Sequence, residues 1–139
     1  MIDDCLRNRR ILVAEDEYLI ADDLRDALTA AGAEVLGPFP TVTDAIAFVD
    51  AGTAIDAAVL DINLRGDMIF PVADALRARG VPFVFATGYD EWSLPERFSG
   101  ATRLEKPVSA HRVTAAIRPL FEGSVVDGPG APNGTAGSA

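Results

Sequence analysis

Three scarcities limit what this chain of 139 residues can be. Its single cysteine, Cys5, excludes an internal disulfide and is typical of a reducing compartment. Acidic residues outnumber basic ones by 21 to 12, and the net charge of −9 argues against nucleic acid as a direct partner. No stretch approaches the roughly 18 apolar residues of a membrane span, and residues 1–10 lack the apolar core of a secretory signal. We therefore expect a soluble, cytoplasmic protein.

The chain does have enough apolar residues for one folded domain. Hydrophobic residues make up 49% of the sequence, and the length suits a single domain. We expect that domain over residues 9–122, with a short N-terminal extension over 1–8. Residues 124–139 are rich in Gly, Pro, Ser, Thr and Ala, which predicts a disordered tail.

Short apolar runs alternate with amphipathic segments along the domain. The runs have the length and composition of buried strands, whereas the segments between them carry apolar residues at helical spacing. The predicted strands are 10–14, 33–39, 57–61, 81–86 and 102–105. The second is expected to close at Gly37-Pro38, and Pro119 is expected to bend or end the last helix.

Alternating strands and helices predict an α/β fold with a parallel sheet and helices on both faces. A strand order of 2-1-3-4-5 would place the ends of the first and third strands side by side. Residues 90–100 have little apolar periodicity, so the fourth helix should be short or mobile. The crossovers elsewhere carry ordinary helical patterns.

Asp61 ends the third predicted strand. Because burying a carboxylate is costly, its presence at the end of an apolar strand calls for an explanation. A strand-end aspartate that merely caps a loop is the plain alternative on this segment alone. Glu15 and Asp16 follow the first strand, however, and would lie beside Asp61. Clustered carboxylates repel one another, and Mg²⁺ removes that conflict. We expect Asp16 and Asp61 as direct ligands and Glu15 acting through water, with the backbone carbonyl of Asn63 as a further ligand.

Thr87 and Lys106 follow the fourth and fifth strands at the same edge of the sheet. A hydroxyl, an ammonium group and a metal aimed at one carboxylate form a site for a phosphoryl group, because such transfer depends on positioning and charge neutralisation. Each residue alone has an ordinary explanation as a strand-end or surface residue. The ordered set predicts that Asp61 accepts phosphate, with Thr87 and Lys106 holding its oxygens.

The ordered set Glu15-Asp16, Asp61, Thr87 and Lys106-Pro107 resembles the receiver domains of two-component response regulators. The resemblance implies a flavodoxin-like doubly wound fold. It also implies Mg²⁺-dependent acceptance of phosphate from a sensor histidine kinase, and slow self-dephosphorylation. A single-domain regulator would act as a switch on an unknown downstream protein or as a phosphate sink, and not as a metabolic enzyme. We expect a monomer or a weak homodimer.

A narrower resemblance is carried by Phe85-Ala86-Thr87-Gly88-Tyr89. It is similar to the signature of the single-domain receivers called the FAT GUY group, which are linked to HWE-family and related histidine kinases. Most receivers have a switch aromatic on the fifth strand, three residues before the lysine, where this chain has Arg103. Tyr89 is the candidate to replace it; the alternative is a half-buried loop tyrosine.

Two other functions remain open at this point. A phosphatase of the haloacid dehalogenase type also forms a phospho-aspartate, but it needs a second Asp where this chain has Asn63. A receiver-like binding module that is never phosphorylated is disfavoured by the complete residue set. His111 is expected to be a surface residue rather than a phosphorelay histidine.

Overall fold

The structure is a computed structural model that describes residues 6–87, 94–106 and 109–126. Strands and helices alternate along this part of the chain. The strands are β1 (Arg10–Ala14), β2 (Glu34–Phe39), β3 (Ala57–Asp61), β4 (Asn63–Leu64), β5 (Asp67–Met68), β6 (Phe83–Thr87) and β7 (Thr102–Glu105). The α-helices are α1 (Tyr18–Ala30), α2 (Val42–Asp50), α3 (Phe70–Ala78) and α4 (Ala110–Val126), and a 3₁₀ helix spans Glu96–Phe98.

Five of the strands form one parallel sheet in the order β2-β1-β3-β6-β7. Counted without the small hairpin β4-β5, this is the predicted order 2-1-3-4-5. The flavodoxin-like doubly wound fold is therefore confirmed. The order makes β1 and β3 neighbours although a strand and two helices separate them in sequence.

Alternating side chains of the central strands feed two cores, one on each face of the sheet. Leu12 and Leu60 pack towards α2 and α3, while Val13 and Val59 pack towards α1 and α4. All four side chains are fully buried. Strands covered on both faces are apolar throughout, which is why the sequence shows continuous apolar runs instead of alternation.

Local signals mark the start of α2 and α4 and the end of α1. The Thr41 hydroxyl accepts a hydrogen bond from the Asp44 N–H (3.1 Å) and so caps α2. The Ser109 hydroxyl accepts one from the Arg112 N–H (3.2 Å) at the start of α4. Gly32 follows α1 with φ of 97°, a left-handed conformation that glycine adopts at low cost.

Ordered residues lie beyond both predicted ends of the domain. Leu6, which lies within the predicted extension, is fully buried, and its N–H donates to the Ala31 carbonyl (2.9 Å). At the other end, α4 continues past Pro119 to Val126. Residues 124–126, predicted as part of a disordered tail, are thus helical.

Two local predictions are also corrected. Strand β2 ends at Phe39, as the predicted strand 33–39 does, but Gly37-Pro38 forms a cis peptide bond inside the strand and does not close it. Gly37 has φ of 103°, and a β-carbon there would lie 2.8 Å from the Val13 carbonyl oxygen. The loop predicted after β3 contains the antiparallel hairpin β4-β5.

The segment before β7 packs through aromatic rings rather than through a regular helix. Within the described residues 94–106 it forms the single 3₁₀ turn Glu96–Phe98, in line with the predicted short helix. Phe98 is fully buried and lies against Phe70 (ring centroids 5.5 Å apart) and Phe85 (5.6 Å). One buried ring thereby anchors a stretch that has little apolar pattern.

The described part of the chain contains no helix with the length and hydropathy that crossing a bilayer requires.

Candidate functional site

Polar side chains gather where four parallel strands end at one edge of the sheet. The register pairs Ala14 with Leu60, Asp61 with Ala86, and Thr87 with Glu105. The residues at or just after these positions are Glu15, Asp16, Asp61, Thr87 and Lys106. Glu15, Asp61 and Thr87 are at most 6% exposed, although each is polar. Burial of this kind requires partners within the site.

Lys106, the only lysine of the chain, stands between two buried carboxylates. Its Nζ donates a hydrogen bond to Asp61 Oδ2 at 3.0 Å and to Glu15 Oε2 at 3.3 Å. Glu17 Oε1 lies 3.8 Å from the same ammonium group. The Lys106 backbone N–H donates to the Thr87 carbonyl (2.8 Å), which ties the ends of β6 and β7 together. One cation is therefore shared among three carboxylates.

The shared cation does not compensate Asp61 completely. Burial, followed by repulsion from Glu15, raises the pKa of Asp61 to about 7 despite the opposing effect of Lys106. Burial alone would lower the pKa of Lys106, but its hydrogen bonds and charge attraction to Asp61 and Glu15 outweigh this and raise it. Lys106 thus remains protonated, but its positive charge does not fully compensate the buried carboxylate of Asp61.

The residues fit a magnesium ion. Glu15, Asp16 and Asp61 each offer a carboxylate oxygen, and these oxygens lie within 4.8 Å of one another. Glu15 Oε1 is buried and, among the described residues, lacks a hydrogen-bond partner, although Lys106 Nζ is 3.0 Å away. Clustered hard oxygens with an unsatisfied buried acceptor are a donor set that Mg²⁺ prefers.

Known proteins share this fold. No family model matches the chain. The structure is similar to the solution structure of SdrG from Sphingomonas melonis, with 44% identity and a TM-score of 0.73, covering 82% of this chain and 97% of SdrG. SdrG is a single-domain receiver of the FAT GUY type. The chain belongs to the receiver domains of response regulators.

Two further relatives agree with this assignment. A response regulator receiver protein from Sinorhizobium medicae is 26% identical with a TM-score of 0.71, covering 84% of this chain and 97% of that protein. The regulator PhyR of Methylorubrum extorquens is 34% identical over 110 residues, 77% of this chain. The chain spans only 41% of the length of PhyR. The predicted resemblance to receivers, including the FAT GUY group, is confirmed, and the chain has its place in two-component signalling.

The receiver brings together most of the predicted site residues. Asp16 is partly exposed, and its Oδ2 accepts a hydrogen bond from the Arg65 N–H (2.9 Å). The Asn63 N–H donates to Asp61 Oδ1 (3.3 Å), while the Asn63 side chain accepts from the Gly66 N–H (2.8 Å). The predicted role of the Asn63 carbonyl as a metal ligand stays a prediction.

Several predicted residues lie elsewhere or outside the described residues. Arg103 is exposed on β7, so its side chain does not occupy the inward position of a switch aromatic. His111 is exposed in the first turn of α4, as expected. Tyr89, the candidate switch residue, and Pro107 fall outside the residues that the structure describes.

Sequence reasoning missed the hairpin β4-β5 that borders the receiver's acidic site. Its turn consists of Arg65 and Gly66, with φ of 53° and 92°. A two-residue turn ending in glycine between Leu64 and Asp67 is a hairpin signal, but Asn-Gly or Asp-Gly would have been a clearer one. Arg65 on this turn, and Glu17 after β1, join the site without having been predicted.

Proposed function

We propose that this receiver is the phosphorylated switch of a two-component system, with Asp61 as the phosphoacceptor. The proposal rests above all on the shared position of Lys106, whose Nζ lies 3.0 Å from oxygens of both Asp61 and Glu15. A structural ion pair would need only one carboxylate. The excess of acid around the single ammonium group is what a site for a metal and a phosphoryl group requires.

The transfer needs little from the protein beyond position and charge. An oxygen of ionised Asp61 attacks the phosphorus of a phosphohistidine, the phosphorus–nitrogen bond breaks, and its electron pair stays on the imidazole nitrogen. Lys106 neutralises charge on the transferred oxygens, and the Thr87 hydroxyl donates a hydrogen bond to one of them. Such transfers depend on in-line approach and electrostatic stabilisation.

Asp16, Asp61 and the Asn63 carbonyl would hold Mg²⁺, with Glu15 acting through water. When bound, the ion supplies positive charge to the phosphoryl oxygens. The same charge favours ionised Asp61, whose pKa of about 7 in its absence leaves part of the nucleophile protonated at neutral pH. Ionised Asp61 can then act as the nucleophile at neutral pH.

The proposed signalling partners are inferred from relatives of the chain and not from the geometry of the site. We infer that the phosphoryl donor is a sensor histidine kinase of the HWE or a related family, given the likeness to SdrG. PhyR of Bartonella quintana, 27% identical with a TM-score of 0.74, is described as an anti-anti-sigma factor. An anti-sigma protein is thus one class of downstream partner, and service as a phosphate sink is the other proposed output. The proposed location is the cytoplasm, as a monomer or weak homodimer.

Phosphorylation is proposed to order residues 88–100, with Tyr89 as the switch aromatic. At the described end of this stretch Phe98 is fully buried against Phe85, whereas Tyr89 lies outside the described residues. Amide exchange over residues 88–100 that is unchanged by beryllofluoride would count against this part of the proposal.

The central test is a phosphotransfer profile against the histidine kinases of the host, together with acetyl phosphate as a small donor. We expect an acid-stable but base-labile and hydroxylamine-labile acyl phosphate that is absent from Asp61→Asn. Asp56→Asn is the matched control, because Asp56 precedes the same strand and its carboxylate accepts a hydrogen bond from the Arg10 N–H (2.7 Å) far from the site. Failure of every donor to label the wild-type protein would overturn the proposed function.

A further inference from the structure

Arg65 occupies a turn position where the backbone does not favour arginine. It has φ of 53° in the hairpin β4-β5, a left-handed conformation that costs an ordinary residue about 1 kcal/mol or more relative to glycine. Its hydrogen bond to Asp16 comes from the backbone N–H, which almost any residue could provide. Neither the turn conformation nor this hydrogen bond therefore explains why the residue is an arginine.

Arg65 borders the acidic site. Arg65 lines a cavity of about 340 Å³ together with Asp16, Asp61, Asn63 and Lys106. It also lines the neighbouring groove of about 350 Å³ between α1 and the end of β2. Arg65 thus stands at the boundary between the cavity that holds Asp61 and the open surface.

Arg65 differs from Arg25 and Arg97 in that its guanidinium has no partner among the residues that the structure describes. Arg25 pairs with Asp22, and Arg97 pairs with Asp74 through two hydrogen bonds of 3.0 Å. Within residues 6–87, 94–106 and 109–126, the guanidinium of Arg65 has no hydrogen bond or ion pair. Its five donors are available to a molecule that enters the cavity.

We propose that Arg65 is a second phosphoryl-binding cation of the site, acting with Lys106 on the anionic oxygens of the incoming group. Lys106 already serves Glu15 and Asp61, so its charge is largely used before any phosphoryl group arrives. A planar guanidinium matches phosphoryl oxygens in pairs. The inference rests on the proposed function, and Arg65 neither gives nor takes a proton in the transfer.

The proposal predicts effects of opposite sign on a cation and an anion. Removing a positive charge beside three carboxylates should leave Mg²⁺ binding unchanged or slightly tighter, whereas the binding of a phosphoryl mimic should weaken. For Arg65→Gln we expect about three- to tenfold weaker binding of beryllofluoride at saturating Mg²⁺, the range of a hydrogen-bonded charge at an exposed rim. Phosphorylation by acetyl phosphate should slow by a similar factor.

The experiment compares Arg65→Gln, Arg65→Gly, Arg65→Lys and the control Arg25→Gln. Arg65→Gly keeps the left-handed turn while removing the charge, and Arg65→Lys restores the charge without the guanidinium. Arg25 lines the neighbouring groove but not the acidic cavity, so Arg25→Gln changes net charge equally. Mg²⁺ and then beryllofluoride are titrated into each full-length protein by calorimetry or NMR, and acetyl phosphate rates are measured in parallel.

The inference is supported if Arg65→Gln and Arg65→Gly weaken beryllofluoride binding to the same extent, if Arg65→Lys recovers only part of the affinity, and if Arg25→Gln changes it less than twofold. Unchanged beryllofluoride affinity in Arg65→Gln would overturn the inference. So would a joint loss of Mg²⁺ and beryllofluoride affinity, since that would mean that the residue only holds Asp16. A wild-type protein that neither binds beryllofluoride nor is phosphorylated by acetyl phosphate would overturn the proposed function instead.

Discussion

Strand β6 connects two buried regions of opposite character, two residues apart. Phe85 belongs to an aromatic cluster with Phe70, Phe83 and Phe98, whose ring centroids lie 5.3–6.1 Å apart. Thr87 belongs to the acidic site. The rings are buried because their contact with water is unfavourable, whereas the carboxylates are buried in spite of losing water. Burial therefore stabilises the fold at the aromatic cluster and destabilises it at the acidic site.

Burial of the aromatic cluster offsets the free-energy cost of burying carboxylates at the acidic site. The aromatic cluster joins β6, α3 and the 3₁₀ turn, and it needs no partner beyond the fold. The acidic site, by contrast, buries Glu15 and Asp61 around a single ammonium group, and the pKa of Asp61 is raised to about 7. Strain of this kind persists at functional sites because the surrounding core tolerates it.

The largest expected effect is on the aromatic side. Phe98→Ala removes a fully buried ring and should lower the free energy of unfolding by about 3–5 kcal/mol, as is usual for such truncations. Urea denaturation measures this loss. Mg²⁺ affinity of the folded protein should stay within about twofold, because the site has its own contacts.

Phe48→Ala is the matched control for that prediction. Phe48 is half-buried and lies 5.0 Å from Phe39 on the other side of the same core, so its loss should cost less than that of Phe98. Equal losses for the two variants would mean that the cluster around Phe98 has no special weight.

A smaller effect is expected from pH in buffer without Mg²⁺. The Asp61 carboxyl has a pKa of about 7 in the folded chain against 3.8 as the ordinary value, so between these values the folded state holds more protons. The free energy of unfolding should therefore fall as pH rises from 3.8 to about 7, and the contribution is fully present only below 3.8. Because each tenfold change in proton affinity is worth about 1.4 kcal/mol, the total is a few kcal/mol at most.

Saturating Mg²⁺ should flatten this pH dependence, since the metal favours the ionised carboxylate. Asp61→Asn should flatten it without metal, because the amide does not titrate. Unfolding curves at several pH values measure both effects. A wild-type slope that persists unchanged in Asp61→Asn would place the titrating group elsewhere and remove the contrast between the two regions.

The smallest effect is expected where charge lies on the surface of the aromatic region. Asp74 is bonded to Arg97, whose guanidinium lies 4.8 Å from the Phe98 ring centroid. Solvent screens this pair, so Asp74→Asn should shift the midpoint of urea unfolding by little more than experimental error, and less still in high salt. A shift comparable with that of Phe98→Ala would show that surface charge, rather than ring burial, holds this segment.

Much of the fold is visible in local sequence patterns because each strand is covered on both faces. The apolar runs ending at Ala14 and Asp61 need no tertiary information, and the Thr41 cap is read from four residues. The hairpin β4-β5 was missed because Arg-Gly is a weak turn signal, and the burial of Leu6 was missed because one apolar residue has no period.

The candidate site residues were likewise recognised because each ends or follows a predicted strand, and the carboxyl ends of parallel strands meet at one edge of the sheet. Their residue types and strand-end positions are properties of the sequence. The sharing of Lys106 between Glu15 and Asp61, the raised pKa of Asp61 and the placement of Arg65 beside the cavity are not. These depend on distances of a few ångströms between side chains brought from distant parts of the chain, and on how far packing excludes water from them.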